Sequence, residues 1–257
     1  MKFALVGKCI SHSLSPKIHM LLFQKHNIHA EYVLLQVENT AEVRGRLLQG
    51  EYQGCNVTIP YKSSFLDVCL SREAAQMEAV NVLKIQHGNL YGYNTDGFGF
   101  LYALKSAGIS SNIQRASILG TGGAARAAGI SLKNNGISVR YYSRSKYDNR
   151  EVFPYDALYL DDAPLLVNAT PLGMPPYAAQ LPVSEAILSR RSYIMDMSYS
   201  LQQTALQKFC QEHGIICADG LRMLIAQAVK SQMIWLDRDY PVEEDIDYVW
   251  TSLRRAE

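Results

Sequence analysis

Apolar segments of four to seven residues alternate with stretches of helical periodicity, and glycines punctuate the joints between them. That alternation predicts an α/β fold with mainly parallel strands. The first strand falls on residues 3–7. A helix is expected near Pro16, with Ser15 as its N-cap and Ile18, Leu21, Leu22 and Phe23 as its apolar stripe. Residues 32–37 and 55–59 read as the next two strands. Residues 80–86 and 90–93 read as a hairpin about His87-Gly88-Asn89.

A long helix follows Asp96, which itself suits an N-cap, with Phe100, Leu101 and Leu104 on the buried side and Gly108 at its end. Strand-like composition then restarts at residues 116–119, so a domain boundary is expected within residues 101–114. Further strands are predicted at 138–142, 165–168, 193–197 and 215–217. From Leu221 onward the pattern is two helices, the first carrying Leu224, Ile225, Ala228 and Ile234 at helical spacing. Pattern alone leaves open which domain this tail packs on.

The chain has 257 residues, 48% hydrophobic and 19% charged. These values suit one large or two modest globular domains and exclude a disordered, collagen-like or disulfide-scaffold chain. The 25 basic and 24 acidic residues nearly cancel, so no excess of positive charge points to a nucleic-acid partner. No apolar run reaches the roughly 18 residues of a membrane span, and the opening apolar run turns polar at Lys8, too soon for a signal peptide. The five cysteines, Cys9, Cys55, Cys69, Cys210 and Cys217, are odd in number with no close pair. They read as free thiols of a reducing, cytoplasmic protein. The Asn56-Val57-Thr58 and Asn168-Ala169-Thr170 sequons are therefore not taken as glycosylation sites. The chain begins with Met1 and could still be one part of a longer polypeptide.

The strongest local signal is Ser117-Ile118-Leu119-Gly120-Thr121-Gly122-Gly123-Ala124-Ala125-Arg126. A strand runs into a glycine-rich turn and an alanine-rich helix follows, the arrangement that receives a pyrophosphate on a helix N-terminus. Gly120 permits the turn, Gly122 leaves room for phosphate, and Ala125 stands where a small residue lets helix and strand pack closely. An NAD-binding fold usually carries an acid at the end of the next strand. Here that position reads Tyr142-Ser143-Arg144-Ser145-Lys146, with no acid until Asp148. A guanidinium can pair with a 2′-phosphate and an ammonium adds charge, so NADP is favoured. The plainer reading of Arg144 and Lys146 is a solvated loop.

Four polar strings fall at predicted strand ends or helix starts: Ser11-His12-Ser13-Leu14-Ser15-Pro16, Asn56-Val57-Thr58-Ile59-Pro60-Tyr61-Lys62, Ala79-Val80-Asn81 and Asn94-Thr95-Asp96-Gly97. Together they supply hydroxyls, amides, one ammonium and one carboxylate, an inventory that suits a small polyhydroxylated carboxylate. With the glycine turn and Ala218-Asp219-Gly220-Leu221-Arg222-Met223-Leu224, these strings resemble the shikimate dehydrogenase family in identity and order, from Ser11 to Gln227.

The resemblance implies an N-terminal α/β substrate domain plus a Rossmann-type dinucleotide-binding domain, with the active site in the cleft between them. Residues 1–100, joined by the C-terminal helices at about 221–257, would bind substrate, and residues 101–220 would bind NADP. It implies Lys62 and Asp96 as the catalytic pair. Ser13 and Ser15 would hold the substrate carboxylate, and Thr58, Asn81, Tyr199 and Gln227 would complete the substrate site. Gly120, Thr121, Gly122, Gly123, Ala124, Ser143, Arg144, Ser145, Lys146, Thr170, Met197 and Gly220 match cofactor positions, and Met223 borders the nicotinamide. For Met197 and Met223 the competing reading is core packing.

Departures from the family pattern are specific. Ser143-Arg144-Ser145 replaces the usual Asn-Arg-Thr. The segment from Tyr147 to Pro154 is short and proline-broken, so a helix there is doubtful and the adenine side should be less enclosed. Arg222 stands where a small residue is common, and Val82 where threonine is usual. The implied reaction is reversible reduction of 3-dehydroshikimate to shikimate by NADPH, with no metal, because the six histidines show no ligand spacing. The expected partners are small molecules, without nucleic acid or membrane, in a monomer or homodimer. Two alternatives stay open: a quinate/shikimate dehydrogenase that also uses NAD, and a non-catalytic NADP-binding sensor.

Overall fold

The computed structural model describes residues 1–109, 112–144 and 152–255. Ser145 and Lys146, expected on the cofactor side, lie outside the described residues. The first half runs β1 (Lys2–Gly7), α1 (Ser15–Lys25), β2 (Glu31–Gln36), α2 (Ala41–Leu48), β3 (Gly54–Val57), a 3-10 turn at Tyr61–Ser63, β4 (Cys69–Leu70), α3 (Arg72–Met77), β5 (Val82–Gln86) and β6 (Asn89–Tyr93). These strands form one sheet in the order β2-β1-β3-β5-β6-β4. β1 pairs in parallel with β2 and β3, β5 runs antiparallel to β3 and β6, and β4 runs parallel to β6. Successive residues of β1 point to opposite faces: Phe3 and Leu5 pack with Phe23, Tyr32 and Trp235, whereas Ala4 and Val6 pack with Val43, Leu47, Phe65 and Leu83. A strand covered on both faces must be apolar at every position, which explains the unbroken run at its start. Each fully buried Phe or Leu there stabilises the fold by about 2 kcal/mol.

The remaining elements are α4 (Asp96–Ser106), β7 (Arg115–Leu119), α5 (Gly123–Asn134), β8 (Ser138–Tyr142), β9 (Val152–Phe153), β10 (Leu165–Asn168), α6 (Glu185–Leu188), β11 (Tyr193–Asp196), α7 (Ala205–Glu212), β12 (Ile216–Asp219), α8 (Gly220–Leu236) and α9 (Val242–Arg255). Their six strands form a second sheet, β12-β11-β10-β7-β8-β9, in which every pairing is parallel. The strand order reverses between β7 and β10, the doubly wound arrangement that binds ligands at the carboxyl ends beside the reversal. Between β8 and β10 the described residues hold only β9 and a 3-10 turn, Tyr155–Tyr159, with no α-helix.

The chain divides into two compact units, Met1–Phe98 with Ile225–Glu257, and Gly99–Leu224. The changeover therefore falls inside α4, ahead of the 101–114 stretch expected from composition, because Phe100, Ala103 and Leu104 pack into the second unit's core. The return falls inside α8, three residues past Leu221. The open question of the tail has a definite answer. Trp235 packs beside Phe3 and donates its indole N–H to the Leu83 carbonyl at 3.0 Å. Asp245 of α9 forms ion pairs with Lys25 at 2.7 Å and His26 at 2.8 Å.

Two cap expectations are corrected. Leu14, not Ser15, holds the cap position of α1, without a side-chain cap bond, and Ser15 is the first helical residue. Proline tolerates only the first turn, and Ser15-Pro16 both lie within it. Asp96 opens α4, yet its own N–H is held by Asn94 Oδ1 at 2.9 Å, and its carboxylate is engaged elsewhere. The short elements α2, α3, α6, α7, β4 and β9 were not marked out by the apolar pattern. Among the described residues no helix is long and apolar enough to cross a membrane, and no group of three or more acidic, histidine or cysteine side chains could hold a metal. The five cysteines are free.

Candidate active site

The first unit gathers its polar residues at the carboxyl ends of β1, β3 and β6. β3 ends at Val57, Thr58 N–H then donates to the Val6 carbonyl at 2.9 Å, and the Tyr61 N–H donates to Thr58 O at 2.9 Å. This tight turn places Lys62 over Val80, whose N–H donates to the Lys62 carbonyl at 2.7 Å. Lys62 Nζ donates to Asp96 Oδ2 at 2.6 Å. The lysine side chain is 26% exposed and the aspartate 14%, so the pair is sheltered but open to a ligand. Asn81 Nδ2 donates to Asp96 Oδ1 at 2.9 Å and to Thr95 Oγ1 at 3.0 Å, while Asn81 Oδ1 accepts the Thr95 N–H at 2.8 Å. Each oxygen of Asp96 thus has its own donor, which fixes the carboxylate plane.

Beneath this pair lies a buried network that the sequence reading passed over. Thr95 Oγ1 lies 3.1 Å from the Gln227 carbonyl, and Ser231 Oγ donates to the same carbonyl at 2.7 Å. Asn56 Nδ2 donates to Asn81 O at 3.2 Å and to Ser231 Oγ at 3.1 Å, and Asn56 Oδ1 accepts from Tyr32 Oη at 2.8 Å. Tyr32 stacks on His19, with ring centroids 4.2 Å apart. His19 is fully buried, and burial pushes its imidazole pKa down to about 3. At the start of α1, Ser13 Oγ donates to Ser15 Oγ at 3.1 Å. The structure places Ser13, Ser15, Thr58, Lys62, Asn81, Asp96 and Gln227 in this unit. Tyr199 belongs to the second unit, where burial raises its phenol pKa.

In the second unit, β7 ends at Leu119 and Gly120 turns with φ of +101°. A side chain there would also press on the Ala169 carbonyl at 3.1 Å, so only glycine serves. Gly122 holds the cap position of α5 without a side-chain cap, leaving the first-turn N–H groups to an outside acceptor. A Cβ on Gly122 or Gly123 would meet nothing within 4 Å, so the turn has room for a phosphate. Ala125 is fully buried, as close helix–strand packing requires. Thr121 and Ala124 flank the same turn, Ser143 N–H is held by the Phe153 carbonyl at 3.0 Å, and Arg144 is exposed. These features fit a dinucleotide phosphate. Thr170 follows β10, Met197 follows β11 and Gly220 begins α8. Met197 and Met223 both pack partly buried against the core, so packing explains them at least in part. Arg222 is half-buried in the first turn of α8, and Val82 is fully buried in β5. Both sequon asparagines are buried, Asn56 at 5% and Asn168 at 0% exposure, so neither can carry a glycan.

Residues 5–83 match the shikimate dehydrogenase substrate binding domain. A shikimate dehydrogenase (NADP(+)) of Clostridium beijerinckii is 35% identical over 247 residues, covering 91% of each chain. The chain belongs to the shikimate dehydrogenase family. Among solved structures, a shikimate dehydrogenase of Peptoclostridium difficile has a TM-score of 0.91 and 34% identity, covering 98% of this chain and 97% of that one. A shikimate 5-dehydrogenase of Thermus thermophilus in complex with NADP(H) and shikimate has a TM-score of 0.86 and 27% identity over the whole of both chains. Membership in the shikimate dehydrogenase family agrees with the two sheets described above, one mixed and one wholly parallel.

Proposed function

We propose that this protein reversibly reduces 3-dehydroshikimate to shikimate with NADPH, as an oxidoreductase of the pathway to chorismate and the aromatic amino acids. One observation carries the reading: an ammonium and a carboxylate held 2.6 Å apart among hydroxyls and amides. NADP, when bound, supplies or takes up the hydride. Ser13 and Ser15 offer hydroxyl donors to the substrate carboxylate, and Thr58, Asn81 and Gln227 offer polar atoms to the ring hydroxyls. Lys62 Nζ, charged in its pair with Asp96, delivers a proton to the ketone oxygen during reduction. Until that proton moves, its charge stabilises the negative charge developing there. In the oxidation direction Lys62 must first lose its proton, and Asp96 orients the amine toward the substrate hydroxyl. Gly120, Thr121, Gly122, Gly123 and Ala124 would cradle the pyrophosphate, and Ser143 and Arg144, with Ser145 and Lys146, would take the 2′-phosphate side. Tyr199 would complete the substrate site. The protein would work in the cytoplasm on small molecules, without nucleic acid, as a monomer or homodimer.

The test is the absorbance change on NADP reduction with shikimate, run beside quinate and NAD. Turnover with shikimate and NADP supports the assignment. Comparable turnover with quinate and NAD would replace it by the broader quinate/shikimate activity. Binding of NADP with no turnover of either acid would replace it by a sensor role.

A further inference from the structure

Asp196 closes β11 with 0% exposure, and among the described residues no cation forms an ion pair with it. Among the described residues its carboxylate is held by neutral donors. Asn168 Nδ2 donates to Oδ1 at 3.0 Å, Ser198 N–H to Oδ1 at 3.1 Å, and Thr204 Oγ1 to Oδ2 at 2.6 Å. Burial raises the carboxyl pKa against the pull of these donors. Burying a carboxyl without a counter-charge is costly unless donors meet it, and here three neutral donors do.

The donors belong to two turns at the carboxyl ends of neighbouring strands. After β10, Asn168 Oδ1 accepts from Thr170 Oγ1 at 2.7 Å and from Thr170 N–H at 3.2 Å, and Asn168 Nδ2 also donates to the Leu172 carbonyl at 3.0 Å. After β11, Ser198 Oγ donates to the same Leu172 carbonyl at 2.9 Å, and Met197 N–H donates to Asn168 O at 3.0 Å. The network reaches both neighbours of these turns. Gly120 of the phosphate turn lies against Ala169, with the carbonyl 3.1 Å from where its Cβ would be. Gly220 lies so close to the Asp196 and Ser198 carbonyls that a Cβ would approach them to 2.6 and 2.4 Å.

We infer that Asp196 is the positioning residue of the cofactor half: its carboxylate locks the Asn168–Leu172 turn to the Met197–Ser198 turn, so that Gly120, Thr170, Met197 and Gly220 form one rigid edge against a bound NADP. Asp196 touches no reacting atom in this role. It acts through Asn168 and Ser198, and a carboxylate suits the task because it accepts from three donors and competes with none of them. The inference rests on the proposed use of NADP and is read in NADP affinity, separately from turnover of shikimate.

The experiment measures NADP dissociation constants by quenching of protein fluorescence, with thermal unfolding of each variant alongside. Asp196→Ala should weaken NADP at least 10-fold. Asn168→Asp keeps the shape but sets a second carboxyl against Asp196 and removes the Nδ2 donor to Asp196 and to the Leu172 carbonyl, and should also weaken NADP about 10-fold. Asp196→Asn can still accept from Asn168 and Ser198 while Thr204 Oγ1 turns to accept, and should stay within about 3-fold of wild type. Combining Asp196→Asn with Asn168→Asp restores a donor facing an acceptor and should recover at least 3-fold of the loss of Asn168→Asp alone. Folded Asn168→Asp protein with NADP affinity within 2-fold of wild type would overturn the inference and leave Asp196 a structural anchor only. Wild-type protein that binds NADP but does not oxidise shikimate would overturn the proposed reaction, while the ranking of the four affinities still decides the role of Asp196.

Discussion

Asp96, in the first unit, and Asp196, at the end of β11 in the second, are held in opposite ways. Asp96 is paired with an ammonium at 2.6 Å and keeps 14% of its side chain exposed. Asp196 is wholly buried and, among the described residues, held by an amide, a hydroxyl and a backbone N–H. A charge-paired, part-exposed carboxylate can follow a proton that arrives or leaves on its partner. A carboxylate sealed among neutral donors does not exchange with solvent or substrate and serves to hold loops. The environment, not the residue type, divides chemistry from scaffolding here.

The largest expected break in this comparison comes at Lys62. Lys62→Ala should lower kcat by about 10³-fold with far less change in KM, since general acid–base groups contribute about 10²–10⁴-fold. Steady-state kinetics with shikimate and NADP check it, and a change confined to KM would make Lys62 a binding residue. Asp96→Asn keeps the shape and the contact to Asn81 but leaves Lys62 without its counter-charge. About a 10²-fold loss in kcat is expected, with NADP affinity unaltered, whereas Asp196→Ala should show the reverse pattern. Arg144→Ala should weaken NADP by about 10-fold and leave NAD unchanged, measured as the ratio of the two kcat/KM values. An unchanged ratio would make Arg144 the solvated loop residue of the plainer reading.

Two smaller effects sharpen the contrast in the first unit. His19 titrates near 6.5 when unfolded and at about 3 when buried. Between those values the unfolded chain binds a proton that the folded chain refuses, so this contribution to stability is complete above pH 6.5. It falls with pH by up to about 1.4 kcal/mol per unit until about pH 3. Urea unfolding of wild type and His19→Phe at several pH values checks this, with a shallower acid slope expected in the variant. Tyr32→Phe leaves Asn56 Oδ1 without its donor, and the buried orphan should cost about 1–2 kcal/mol with little change in kcat.

Some of this was legible in the residues. β1 and β10 appeared as largely apolar runs because strands buried on both faces admit little else. The glycine turn was legible because Gly120 needs a positive φ and the phosphate needs open space. Lys62, Asp96, Ser13 and Ser15 were singled out through ordered motifs, although the spacing of those motifs carries no distance. Asn56 and Thr95 stood in the polar strings without a role of their own, and Ser231 was not singled out: small polar residues in apolar surroundings look alike whether they cap, turn or join a network. Asp196 did not stand out in the residues, because nothing local shows that a carboxylate will meet donors from two other segments. Ser15 and Asp96 were read as caps for the same reason, since a cap is the local use of such residues and their actual partners lie elsewhere in the chain.

The sequence by itself determined the α/β class, the glycine-rich turn and the inventory of polar groups. Periodicity and backbone preference act over a few residues, and both are written locally. Tertiary structure alone decided which of those groups meet. It brought Lys62 to Asp96 across 34 positions and Ser231 to Asn56 across 175. It also divided α4 and α8 between the two units, because burial of Phe100 in one core and Trp235 in the other outweighs the continuity of each helix. Burial and hydrogen-bond pairing act through space and became fixed only when the sheets closed over their cores.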